Sequence, residues 1–155
     1  MIELLDVVIE PNDCDVTAAL SLEMSFRTRR PLREAQWSMS VVFDAIDKRQ
    51  ILELGHTTPA DYDGISSVLF KVDAINVDGI EPSVLANCGL LVAALYVGRE
   101  ELCKVNMVVQ VTTSVKGLDD ILEIIFFHIR RFLILPQVTR ENDGRFIRSI
   151  YSPLE

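Results

Sequence analysis

The sequence predicts an all-β chain, an immunoglobulin-like antiparallel β-sandwich with a short helical segment near the C-terminus. Three observations carry that expectation. Apolar and polar residues alternate in several stretches, and a period of two marks a strand with one covered face, because successive strand side chains point to opposite sides. These stretches follow one another with hairpin-like punctuation by Gly, Pro, Asn and Asp, and no helical pattern separates them until late, which argues against alternating βαβ units. At the centre, Cys88 to Val111 reads as a hairpin: an uncharged aliphatic arm, a short polar connection containing Gly98, and a return arm that alternates.

Taken in order, Ile2 to Ile9 is a first strand that Pro11-Asn12-Asp13 stops. Leu20, Leu22, Met24 and Phe26 alternate with Ser21, Glu23, Ser25 and Arg27, a strand with one wet face. Arg29 to Glu34 breaks the pattern, since proline cannot donate to a ladder and the charges favour water. Alternation resumes at Trp37, Met39, Val41 and Phe43. A polar connection follows from Asp44 to Arg49, then a short strand from Gln50 to Leu54 ended by Gly55. Pro59 to Gly64 is dense in turn formers and reads as a loop before Val68, Phe70 and Val72 alternate again.

In the central hairpin the first arm has the composition of a strand covered on both faces. On the return arm Cys103, Val105, Met107, Val109 and Val111 share one face, and Lys104, Asn106, Val108 and Gln110 share the other. Leu118 to Leu135 follows, with Asp119 and Asp120 at its start, Arg130 and Arg131 near its end and Pro136 after it. This suits a helix dipole and its stop signal. Val138 with Arg145-Phe146-Ile147 supplies a late strand or strand pair.

A chain of 155 residues can bury about 70% of its unfolded surface in one core, so residues 1–155 are expected to form a single domain without disulfide staples. Cys14, Cys88 and Cys103 are odd in number and lack zinc-site spacing. They read as reduced thiols of an intracellular protein, with Cys88 and Cys103 as small core residues. No basic start joins a long apolar run, so no leader is expected, and Ile121 to Leu135 is too short and charged to span a bilayer.

The net charge of −8 is concentrated before residue 125. An acidic body disfavours nucleic acid phosphates and suits a basic protein partner, although a negative surface also serves solubility alone. Catalytic chemistry finds little to use. There are only two histidines, His56 and His128, no glycine-framed serine, no phosphate-cradling loop and no clustered metal ligands, so no enzyme and no cofactor is expected. Asp119, Asp120 and Glu123 read as a solvated helix start, and Arg27, Arg29, Arg30 and Arg33 as a solvated loop.

Three motifs carry a resemblance. Tyr96-Val97-Gly98-Arg99-Glu100, Pro136-Gln137-Val138-Thr139-Arg140, and Leu22-Glu23-Met24-Ser25-Phe26 followed by Trp37 resemble, in order and approximate spacing, segments of the anti-silencing-function family. These are immunoglobulin-like chaperones of the histone three and four heterodimer. The resemblance implies a nuclear, monomeric histone chaperone acting in nucleosome assembly and disassembly, with no direct nucleic acid or membrane contact.

The same resemblance implies a histone-binding set of Asp47, Leu90, Lys104, Met107, Val108, Gln137 and Thr139. It also implies a co-chaperone site at Glu34 and Trp37. In the family one histone's helix lies on a sheet face and the other histone's tail adds as a strand at the sandwich edge. The chain departs from the family where lysine replaces arginine at Lys104, where Met107 and Val108 replace aromatics, and where the segment before Trp37 carries Arg29, Arg30 and Arg33 in place of acid. An immunoglobulin-like adaptor for an unrelated partner is the alternative reading. A small hydrolase is a third, and needs a histidine in a cleft beside a nucleophile.

Overall fold

The computed structural model describes residues 2–45, 48–86, 88–113 and 146–154. The helix expected over 118–135, His128, and the candidate residues Asp47, Gln137 and Thr139 lie outside the described residues.

The described strands are β1 (Ile2–Glu10), β2 (Cys14–Asp15), β3 (Leu20–Thr28), β4 (Leu32–Ala45), β5 (Lys48–His56), β6 (Ala60–Tyr62), β7 (Ile65–Val72), β8 (Gly89–Val97), β9 (Glu100–Thr113) and β10 (Phe146–Tyr151). One helical turn, α1 (Pro82–Leu85), stands between β7 and β8. The strands make two antiparallel sheets, one ordered β1-β3-β7 and the other β2-β10-β9-β8-β4-β5, with β6 added beside β4. The fold is all-β and sandwich-like, as the alternation predicts.

Each sheet turns one set of alternating residues inward. On β3 these are Leu20, Leu22, Met24 and Phe26. On β4 they are Ala35, Trp37, Met39, Val41 and Phe43, and on β8 and β9 they are Leu91, Ala93, Leu95, Met107, Val109 and Val111. Phe26 ties the sheets together. Its ring meets Trp37 edge to face at 5.3 Å and Tyr62 at 5.1 Å, a geometry that the ring quadrupoles favour over a flat stack.

Several local expectations change. β4 begins directly after Pro31, so the break at 29–34 is shorter than the charges suggest, and Pro59 to Gly64 contains β6. The cause is Asp61, whose carboxylate accepts a hydrogen bond from the backbone N–H of Glu34 at 2.9 Å and another from Arg33 at 2.6 Å. Those bonds hold Glu34 at a positive φ of 50° and shift the register between Leu32 and Ala35, so a ladder forms where composition reads as loop. Cys88 is exposed, because it precedes the first residue of β8, while Cys103 is half-buried and burial pushes its thiol pKa up.

A second buried feature has no counterpart in the hydrophobic pattern. Arg148 on β10 is 2% exposed. Its guanidinium donates to the carbonyl oxygens of Val16, Ala18 and Ala19 and lies 3.3 Å from the Cys14 sulfur. It pins the turn after β2 onto β10, and a charge so placed needs those acceptors because water cannot reach it.

Candidate functional site

The central hairpin turns on Gly98-Arg99, with Val97 opposite Glu100 and Gly98 at φ 59°, the left-handed conformation that glycine adopts without a Cβ penalty. Gly89, at the other end of β8, is needed for a different reason. A Cβ there would stand 2.8 Å from the Val42 carbonyl oxygen and 3.1 Å from the Phe43 ring, so the side-chain-free residue lets β8 lie close against β4.

The register assembles the outward face of the larger sheet. Ile51 on β5 pairs with Val42 on β4, Val42 with Leu90 on β8, Leu90 with Val108 on β9, and Val108 with Tyr151 on β10. Five apolar or aromatic residues therefore form one row across five strands, about 19 Å long at the usual strand spacing. Val42 is nearly covered, whereas Ile51, Leu90, Val108 and Tyr151 are between 38% and 57% exposed. Val92 and Ala94 extend the apolar surface along β8, and both are buried by their neighbours although they lie on the outward face. The first arm of the hairpin is thus covered on its inner face and, at Val92 and Ala94, on its outward face, with Leu90 open to solvent. Scattered exposed apolar residues are ordinary, whereas apolar residues aligned in one row make this face the candidate interaction surface.

Polar groups bound this row on one side. Asn106 pairs with Val92, and Lys104 with Ala94. Near the turn, the Tyr96 hydroxyl donates to Glu101 Oε2 at 2.9 Å and Lys104 Nζ stands 3.2 Å from the same oxygen. The hydrogen bond from Tyr96, with the added help of Lys104, holds the Glu101 carboxyl below its ordinary value, and the same bond raises the Tyr96 phenol above its own.

The expected site residues fall into groups. Leu90, Val108 and Lys104 share this outward face. Met107 does not: it is fully buried in the core, because strand alternation sends residues 107 and 108 to opposite sides, so it cannot touch a partner. Trp37 is likewise fully buried, packed on Phe26, and only Glu34 of the expected co-chaperone pair is exposed. The basic segment beside it is partly neutralised, since Arg33 is paired with Asp61.

Ile51, Val42 and Tyr151 were not among the expected residues. Val42 had a sequence signal, as an apolar residue at a wet position between Val41 and Phe43, but connecting it to Ile51 and Tyr151 requires the register. Trp37 also lines a cavity of about 240 Å³ with Ile2, Leu4, Phe26, Cys103 and Val105, and its indole Nε1 has no hydrogen-bond partner.

Among the described residues no group of three or more His, Cys, Asp or Glu is placed to hold a metal ion, and no helix is long and apolar enough to cross a membrane. His56 is exposed at the end of β5. No protein-family model matches the chain, and no curated protein matches its sequence.

Proposed function

We propose that this chain is a divergent histone chaperone of the anti-silencing-function type, binding the histone three and four heterodimer through the outward face of its larger sheet. It acts in the nucleus, as a monomer and without catalytic chemistry, in the assembly and disassembly of nucleosomes. The observation that carries the reading is the row Ile51–Val42–Leu90–Val108–Tyr151, exposed at all but Val42. It runs through the hairpin that bears the Tyr96 to Glu100 motif, on the face where the resemblance expects a histone helix. An amphipathic helix that crosses this row buries its apolar side there, while Lys104 and Asn106 meet its polar residues.

Two further features support the reading. The acidic body, net −8, attracts a basic partner over distance. The expected second contact, an added strand, has a suitable edge: among the described residues β10 pairs with β9 only from Val108 onward, so on that side Glu100 to Met107 offer backbone groups to another strand. Met107 and Trp37 are core residues and drop out of the contact set. Asp47, Gln137 and Thr139 remain proposed histone contacts, and Glu34 a proposed co-chaperone contact.

The test is binding of the purified chain to the recombinant histone three and four heterodimer across a salt series, with the other core histone pair as control. Selective binding that persists at high salt supports docking on the apolar row. Binding that does not discriminate and vanishes with salt overturns the chaperone reading in favour of an adaptor with another partner.

A further inference from the structure

The group formed by Tyr96, Glu101 and Lys104 owes its existence to an irregularity in β9. Leu95 pairs with Cys103, but Tyr96 pairs with Glu101, so Leu102 is an extra residue that bulges from the ladder. In an unbroken strand, residues three apart point to opposite faces. The bulge brings Glu101 and Lys104 onto the same outward face. There the Tyr96 hydroxyl and the Lys104 ammonium converge on one carboxylate oxygen, Oε2 of Glu101, at 2.9 and 3.2 Å. Two donors aimed at one oxygen are what a carboxylate receptor requires, and charge-assisted bonds of this kind are the stronger ones.

We propose that Tyr96 and Lys104 form a receptor for a carboxylate of the docked partner, and that Glu101 occupies it in the free chain as a built-in competitor. This rests on the outward face being the docking surface. The occupant is an acidic side chain on the partner helix that docks on this face, running along β9 and crossing the apolar row at Val108. Lys104 lies four residues before Val108 on β9, about 14 Å along the strand. A helix running along β9 would span that distance with about nine residues between its apolar anchor and its acidic residue. Glu101 can be displaced at little cost. The side chains of Lys104 and Glu101 are 45% and 38% exposed, and ion pairs at such positions contribute little to stability. The partner's carboxylate then takes over both donors while Glu101 turns to water. Glu101 thereby weakens binding of a partner with the matching acid and penalises less a partner that lacks it, so it sets selectivity as well as affinity.

The sign of the effect makes this testable. Removing a negative charge from a protein that binds a basic partner ordinarily weakens association. Glu100→Gln supplies that baseline, because Glu100 pairs with Val97 and faces the opposite side. Glu101→Gln is expected to bind the histone three and four heterodimer three- to tenfold more tightly than Glu100→Gln. In a Lys104→Gln background the same substitution is expected to give no gain. Equal or weaker binding by Glu101→Gln, or a gain that survives Lys104→Gln, overturns the proposal.

A second measurement separates this proposal from the docking reading. Acetate, titrated against the chain and followed by NMR, is expected to shift the Tyr96 and Lys104 signals in Glu101→Gln and much less in the parent chain. If those shifts appear while the histone heterodimer does not bind, the receptor stands and the chaperone reading fails. If the heterodimer binds and acetate shifts neither residue in the variant, the receptor fails and the chaperone reading stands.

Discussion

Met107 and Val108 are adjacent, yet the fold gives them opposite duties, and substituting each by alanine measures that difference. Met107 is 0% exposed and sits among the inner residues of both sheets. Truncating it removes buried methylene and thioether contacts and leaves a cavity that the strands cannot close, which costs about 2–5 kcal/mol. Val108 is 46% exposed. Full burial of a valine is worth about 1.5–3 kcal/mol and only part of that is realised here, so Val108→Ala costs about 1 kcal/mol or less.

Urea unfolding of both variants, with the slope unchanged from the parent chain, reads the two values directly. Binding should rank the other way. Val108→Glu places a charge in the middle of the apolar row and is expected to weaken the histone heterodimer more than tenfold while leaving the fold intact, a loss of at least about 1.4 kcal/mol. If Val108→Ala destabilises as much as Met107→Ala, the assignment of faces on β9 is wrong. If Val108→Glu binds as well as the parent, the row is not the docking surface.

Three other perturbations test the framework that holds this face in place. Gly89→Ala is expected to lose about 1–3 kcal/mol in urea unfolding, because its Cβ meets the backbone oxygen of Val42 and neither strand can yield; a neutral result would show that β8 and β4 lie further apart. Arg148→Ala strands three carbonyl oxygens and should cost at least about 3 kcal/mol, with β2 the first segment to gain fast hydrogen exchange. Asp61 is held below the ordinary carboxylate range by the Glu34 N–H first and by Arg33 second. Its stabilising effect is therefore fully present above that range and is lost as pH falls through the lowered folded value. Asp61→Asn should narrow the gap in urea midpoint between neutral pH and about pH 2, and an unchanged gap would remove Asp61 from the acid response.

Period-two patterning in β3, β4, β7 and β9 was enough to read strands, inner faces and the all-β class from the chain alone. Backbone pleating forces alternation, and water selects which residues face in, so both are written locally. The central hairpin was legible for the same reason, together with the need for a φ > 0 residue at Gly98. Residues that depend on partners far along the chain were not legible. Arg148 has no counterpart in the alternation, because its burial depends on the turn after β2, and β6 looked like a loop until Asp61 bound the Glu34 amide. Likewise Met107 and Trp37 stood as candidate contacts by position in a motif, and alternation and packing put them inside.

The candidate surface divides along the same line. The outward placing of Val108 and Lys104 followed from the alternation of β9, whereas Leu90 came from the resemblance, since the first arm does not alternate. Joining Ile51, Val42 and Tyr151 to them took the cross-strand register. The Glu101–Lys104 pair took the bulge at Leu102, which no periodicity reveals. The sequence by itself determined which residues each alternating strand turns outward, because pleating is a property of neighbours. Only the tertiary structure decided which outward residues stand side by side, because register depends on pairings between segments that are distant in the chain.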